Sequence, residues 1–339
     1  MTSNHCATIE PRGMLAVTEL TALDVGGTHA RFVRASIGDD GRIALGEPVT
    51  LKTSEHVSLQ TAWEHYAELA GGDLPKNAVI AIAAPVEAET VRMTNNTWTF
   101  RPDRLAGELG VERLTLINDF GAVAHAVARA LPADLVHVAG PDEPLPETGT
   151  TTVIGAGTGL GVAHFHRVGG TYHVQSTEGG HIDFAPVDAI DDMLLADLRQ
   201  RHRRVSLERV VSGPGIVEIR QVLGRIEKRP LADLDDKTIW QLGISGEDAL
   251  CRAAVERFCQ SLGSACGDYA LAQGASAVVL AGGFSQRLLD ILPDSGFAER
   301  FRFKGRYERM MEGIPIRMLT HPQPGLYGAV AAFIRQHVP

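Results

Sequence analysis

The sequence predicts a mixed α/β chain built as two halves with a cleft between them. Near residue 20 a strand, a glycine turn and a returning strand open the chain, and a run of the same kind begins at Thr151. Each run leads into alternating helix and strand patterns, and 339 residues suit two domains rather than one.

The first strand runs from Leu20 to Val25, Gly26-Gly27 turns it, and Arg31 to Ile37 returns beside it. A third strand is expected from Arg42 to Leu51. Leu59, Ala62, Trp63, Tyr66 and Leu69 recur at helical spacing and are closed by Gly71-Gly72. A strand from Ala78 to Ala83, a short helix near Asp103 to Leu109, the apolar run Leu114 to Ile117 and a helix from Asp119 to Ala130 complete the first half. In the second half, TTVIGAGTGLGVAHFHR reads as strand, glycine-rich turn and strand. A long helix is expected from Ser245 to about Gln273, with Leu250, Ala254, Phe258, Leu262, Ala265 and Tyr269 as its stripe and Ser245 with Asp248 as a capping box. Ala277 to Ala281 is a buried strand ending in Gly282-Gly283, and Gly325 to Gln336 is a closing amphipathic helix.

Composition excludes several classes. Thirty-two basic against 41 acidic residues give a net charge of −9, which argues against electrostatic nucleic-acid binding. Apolar runs stay short of the ~20 residues that span a bilayer. The first residues carry no secretory pattern, so a cytoplasmic protein is expected, with residues 1–19 as a tail and Met1 or Met14 as the start. Cys251, Cys259 and Cys266 share one helical face, as small buried hydrophobes do.

Five motifs carry the chemistry. In DVGGTHAR, Asp24 to Arg31, glycines let backbone N–H groups approach an anion while a hydroxyl and a carboxylate serve phosphate and a hydrated metal. The same glycine pair is also common in plain hairpin turns. GAGTGLG, Gly155 to Gly161, is not a dinucleotide fingerprint, because Leu160 stands where the third glycine belongs and a strand follows instead of a helix. In INDFGAVAHA, Asn118 and Asp119 lie beyond the carboxyl end of a strand, where α/β sheets bind ligands, although on frequency grounds an isolated pair of this kind favours Asp119 as a cap of the following helix. In STEGGHIDFAP, Glu178 and His181 suit a polyol better than a metal, since further ligands at suitable spacing are lacking. The last motif is LAGGF, whose glycines let a flat group lie against the backbone.

Taken together and in this order, these motifs resemble the actin, Hsp70 and sugar-kinase superfamily of two-domain ATPases, with its ribonuclease H-like fold. More closely, DVGGT, MTNNTW, INDF, GAGTGLGVAH, EGGHIDFAP, ERVVSGPG, LAGGF and PGLYGA resemble the hexokinase-like bacterial glucokinases common in proteobacteria, from about Leu20 to the C-terminus. The resemblance implies a small α/β domain, residues 20–129 plus 321–339, and a large one, residues 130–320, with the active site in the cleft between them. It implies transfer of the ATP γ-phosphate to the 6-hydroxyl of glucose, giving glucose 6-phosphate at the entry to glycolysis. Asp119 would be the catalytic base, and Asn118, Asp119, Glu178, His181 and Glu208 would hold the sugar. Asp24, Gly26, Gly27 and Thr28 would serve phosphate and Mg²⁺, the metal through water on Asp24. Gly157 and Thr158 would make the second phosphate contact, and Gly282 and Gly283 the adenosine side. A homodimer is implied as well.

Carboxylates that accept from two hydroxyls discriminate between epimers, because the wrong epimer leaves a buried partner unpaired. His29 stands where these glucokinases usually carry Asn, a change expected to be tolerated at the surface and bearing on nucleotide preference. The zinc-binding cysteine cluster of the sister group of repressors, open reading frames and kinases is missing, so no structural zinc is expected. Another hexose or aminosugar kinase on the same fold stays open as an alternative. A non-catalytic sugar sensor also stays open, although too few residues precede the first strand for a helix-turn-helix. RQRHRRVSLER, Arg199 to Arg209, reads as a solvated helix end.

Overall fold

The computed structural model describes residues 18–93 and 96–338. Of the expected tail of residues 1–19, residues 1–17 with both candidate starts lie outside the described residues, as do Thr94-Asn95 of MTNNTW, while Thr18 and Glu19 belong to the first strand instead. The chain divides into two compact units: one runs up to Ile117 and takes in the chain again from Val330, and the other is Asn118–Ala329.

In the first unit β1 (Thr18–Val25) and β2 (His29–Ile37) form the expected hairpin. The stretch expected as one strand from Arg42 to Leu51 is two, β3 (Ile43–Leu45) and β4 (Val49–Lys52), both paired with β2. Pro48 between them has no N–H to give to a ladder, so pairing stops there and resumes further along β2. The helix α1 (Leu59–Leu69) starts at Ser58, whose hydroxyl accepts from the N–H of Thr61. There follow β5 (Asn77–Ile82), the two-residue strands β6 (Val91–Arg92) and β7 (Thr99–Phe100), α2 (Pro102–Glu108) and β8 (Arg113–Asn118). The sheet order is β3-β2-β1-β5-β8, with β5 parallel to β1. One apolar cluster, with Phe32 stacked on Tyr66 and Trp98 fully enclosed, fills the unit.

The second unit opens with α3 (Asp119–Arg129), followed by β9 (Leu135–Ala139). The hairpin β10 (Gly149–Ala156) and β11 (Leu160–Val168) is joined by β12 (Thr171–Thr177). Then come α4 (Ala189–Arg199), α5 (Gly215–Ile226), α6 (Asp236–Ser245), α7 (Ala249–Gln273), β13 (Ala275–Leu280), α8 (Gly283–Gln286), α9 (Phe297–Arg302), α10 (Glu308–Glu312) and β14 (Ile316–Leu319). The closing helix α11 (Pro324–His337) begins here and ends among first-unit residues, where Thr115 donates to Gln336. The order β12-β11-β10-β13-β14-β9 repeats that of the first unit over its first five strands, an antiparallel meander whose first strand is followed by β13 and β14 in parallel, and adds β9 antiparallel at the edge. The duplicated opening read in the sequence is therefore a duplicated sheet.

The expected helix start at Ser245 is corrected. Ser245 ends α6, Gly246 reverses the chain at φ 76°, and Asp248 caps α7 by accepting from the N–H of Cys251. A residue past a helix end at positive φ favours glycine, which separates α6 from α7 at this point. Cys251, Cys259 and Cys266 are buried free thiols, as their spacing predicts. The basic run begins at the end of α4 as expected, and two of its charges are paired: Arg201 with Asp197 and Glu218, and Arg204 with Asp183.

Candidate active site

Among the candidate residues, the first hairpin holds Asp24, Gly26, Gly27 and Thr28 in the first unit, and the second unit gathers the other nine. The first tip closes when the Gly26 N–H donates to the His29 carbonyl at 2.9 Å. Thr53 ties it down, its hydroxyl donating to the Gly27 carbonyl at 2.9 Å and its N–H to that of Thr28. Burial pushes the Asp24 carboxyl above the usual carboxylate range, opposed by the Arg31 guanidinium 3.6 Å away on the paired strand. His29 is exposed, as expected, yet its ring nitrogen lies 2.9 Å from the Thr28 hydroxyl. The substitution therefore touches a phosphate-contact candidate.

The start of α3 resolves the alternative at Asn118-Asp119. The cap is Asn118, whose side-chain oxygen accepts from the N–H groups of Phe120 and Gly121, both at 3.0 Å. Asp119, half-buried in the first turn, accepts from the Phe120 N–H at 2.7 Å. The Asn118 amide nitrogen keeps its two donors for other partners.

Three glycines of GAGTGLG serve packing. A Cβ at Gly161 would fall inside the Phe120 ring, one at Gly155 would meet the Ala281 carbonyl, and one at Gly159 would stand 2.5 Å from a Glu208 carboxylate oxygen. Gly157 differs, because a Cβ there meets nothing within 4 Å. Only Gly157 is thus open to a ligand without disturbing its neighbours. Since Phe120 adjoins Asp119 and seats on Gly161, the strand-end carboxylate and the second hairpin are held in one register.

The Glu178 loop seats on the same hairpin. Glu178 bridges Val162, the Thr177 hydroxyl donates to the Val162 carbonyl at 2.7 Å, and a Cβ at Gly180 would collide with the Leu160 carbonyl. Glu178 and His181 approach to 4.0 Å, each side chain more than half exposed. The Leu207 N–H donates to the Ile182 carbonyl at 2.7 Å, which brings in the turn bearing Glu208. Glu208 itself accepts from the Leu160 N–H at 2.9 Å.

Sequence reasoning missed one region. The Gly213 N–H donates to the Gly157 carbonyl at 2.7 Å, and the Trp240 indole donates to the Gly213 carbonyl at 2.9 Å. Trp240 and Phe284 meet edge to face at 4.4 Å, and a pocket of about 700 Å³ opens beside them, lined also by Lys237 and Arg287. Gly282, at φ 90°, begins the turn that presents Phe284, and a Cβ at Gly283 would meet nothing within 4 Å. Aromatic walls and two cations, with the Asp236 carboxylate also in the lining, suit the base and phosphates of a nucleotide. Pro214 after Ser212-Gly213 was the one signal that a helix starts there, and nothing local in the sequence links Trp240 to LAGGF.

The sequence model of the glucokinase family matches residues 21–337. The glucokinase of Zymomonas mobilis is 52% identical over 319 residues, 94% of this chain and 98% of that one. A Caulobacter glucokinase is 39% identical over 310 residues, covering 91% of this chain and 93% of its own. Among solved structures, a glucokinase from an Antarctic psychrotroph superposes with a TM-score of 0.82 at 33% identity, over 94% of this chain and 99% of that one.

Proposed function

The chain belongs to the glucokinase family, and from that premise we propose how its own residues carry the reaction. It transfers the γ-phosphate of ATP, with Mg²⁺, to the 6-hydroxyl of glucose, giving ADP and glucose 6-phosphate. Phosphoryl transfer asks the protein for little covalent chemistry, so positioning and charge stabilisation do most of the work.

Asp119 takes the proton from the 6-hydroxyl. The observation that carries this reading is the seat of Phe120 on Gly161, which fixes the adjoining carboxylate against the hairpin that bears the open Gly157. A general base contributes ~10²–10⁴ in rate. Asn118 donates its amide to the sugar, while Glu178, His181 and Glu208 accept and donate around the remaining hydroxyls. Support for this set comes from its common anchorage: the loops bearing Glu178, His181 and Glu208 are hydrogen-bonded to β11 or to each other.

Gly157 and Thr158 receive one part of the phosphate chain, and Asp24, Gly26, Gly27 and Thr28 another. Gly282 and Gly283 flank the nucleoside, whose base fits the Trp240–Phe284 pocket. Mg²⁺ takes few protein ligands when bound to a nucleotide, keeping waters and phosphate oxygens. The residues fit that demand, since the first hairpin places the Asp24 carboxyl on the same turn as the glycine N–H groups and the Thr28 hydroxyl. Asp24 would hold the ion through water, and the ion would neutralise charge on the phosphates.

No described helix is long and apolar enough to cross a membrane. Residence in the cytoplasm and a homodimer complete the reading; sedimentation velocity tests the dimer. The test of function is Mg²⁺-ATP-dependent ADP release with glucose, mannose, fructose, galactose, glucosamine and N-acetylmannosamine. Strong preference for glucose is expected. Preference for another sugar would reassign the hydroxyl contacts, and sugar binding without turnover would point to a sensor.

A further inference from the structure

We propose that the second unit carries another ligand site, a pocket on α5 built around Arg220 that binds a phosphate-class oxyanion. The pocket has a volume of about 330 Å³ and lies between α5 and the segment 231–234. This is at the lower end of the roughly 300–1,000 Å³ typical of small-ligand sites. Val217 and Leu231 give it apolar walls, while Arg220, Gln221, Arg225 and Asp233 supply the polar ones.

Arg220 is only 7% exposed and is the one Lys or Arg among the buried residues described. One Nη donates to the Ala232 carbonyl at 3.1 Å, the guanidinium also meets the neutral Cys251 thiol, and the buried Nε has no hydrogen-bond partner. No carboxylate lies within 4 Å of it among the described residues. The other deeply set cations are all paired: Arg257 and Arg300 with Asp188 and Asp191, Lys304 with Asp268 and Arg317 with Asp142. A buried guanidinium without an anion is costly, and its planar fork matches phosphate oxygens. Arg225 on the same wall is held by Asp197 at 2.8 Å, which leaves Arg220 as the uncompensated positive charge. Asp233 is exposed, so water screens its repulsion of an anion.

None of the active-site candidates lines this pocket, so the site is additional to the reaction and independent of the roles proposed above. Two sources supply the chemistry, free inorganic phosphate and the phosphate ester of a sugar such as the reaction's product. The full chain, with its active site saturated by glucose, Mg²⁺ and a non-hydrolysable ATP analogue, is titrated calorimetrically with inorganic phosphate, glucose 6-phosphate and succinate. Saturable binding of either phosphate is expected, and the tighter of the two names the source. Arg220→Met and Gln221→Glu should each weaken that binding at least tenfold while turnover stays within twofold of the native chain. Should Arg220→Met fail to fold by circular dichroism, Gln221→Glu alone decides. The proposal falls if neither phosphate binds, if succinate binds as tightly as both, or if the variants bind phosphate like the native chain.

Discussion

Replacing Gly161 by alanine should damage turnover through Phe120. The new methyl group would occupy the Phe120 ring, so either the ring leaves its seat or β11 shifts. Overpacking of this kind costs ~1–3 kcal/mol. At ~2–4 °C per kcal/mol for a unit of this size, a loss near 2 kcal/mol lowers the melting temperature by about 4–8 °C. Phe120 adjoins Asp119, and a displacement of about 1 Å at a catalytic group can cost ~10²-fold in rate. Gly161→Ala is therefore expected to lose about two decades of kcat along with its stability. Gly157→Ala is the control, because its methyl group meets nothing within 4 Å. It should melt with the native chain and raise KM for ATP. Calorimetric melts and steady-state ADP release measure both, and Phe120→Leu introduced into Gly161→Ala should restore stability. Native melting and full turnover in Gly161→Ala would refute the packing argument. A melting loss in Gly157→Ala equal to that in Gly161→Ala would refute the division between packing and ligand glycines.

Two further predictions concern Glu208 and His164. Glu208→Gln keeps an acceptor for the Leu160 N–H and should melt normally while raising KM for glucose at least tenfold; Glu208→Ala also orphans that N–H, at ~1–3 kcal/mol of stability. A normal KM in both variants would remove Glu208 from sugar binding. His164 is buried beside the Thr152 hydroxyl, 3.1 Å away, and burial holds its pKa below the usual 6.5. The unfolded chain then binds more protons than the native one below pH ~6.5, so stability is full above that value and drains away as the pH falls. His321 and His337 shift the same way. The urea midpoint should decline from pH 7.5 to 5.5, and His164→Gln should flatten the decline; an unaltered slope would exonerate His164.

Both hairpins, the parallel strand following each and the strand-end Asn118-Asp119 were legible because each is specified locally, by alternation and glycine turns. Errors arose where one residue overrides a pattern. Pro48 splits an otherwise continuous strand, and Gly246 closes an unread helix at Ser245, which therefore cannot begin the next one. The helix α5 went unread, and a buried cation at Arg220 interrupts its apolar face. The link from Glu208 to Leu160 spans 48 residues, and that from Trp240 to Gly213 spans 27. Contacts at such separations belong to the tertiary fold and leave no local trace. The packing role of Gly155, Gly159 and Gly161 was hidden for the same reason, since a glycine-rich turn reads alike whether it admits a ligand or another side chain.

The central claim is that Asp119 is the base acting on a sugar held by the second unit. It is tested most directly by Asp119→Ala and Asp119→Asn, measuring kcat for Mg²⁺-ATP-dependent glucose phosphorylation alongside calorimetric affinities for glucose and for a non-hydrolysable ATP analogue. Turnover is expected to fall ~10²–10⁴-fold in both. Nucleotide affinity should stay native, and glucose affinity should change far less than turnover. Near-native kcat in either variant would contradict the account and remove Asp119 from the mechanism.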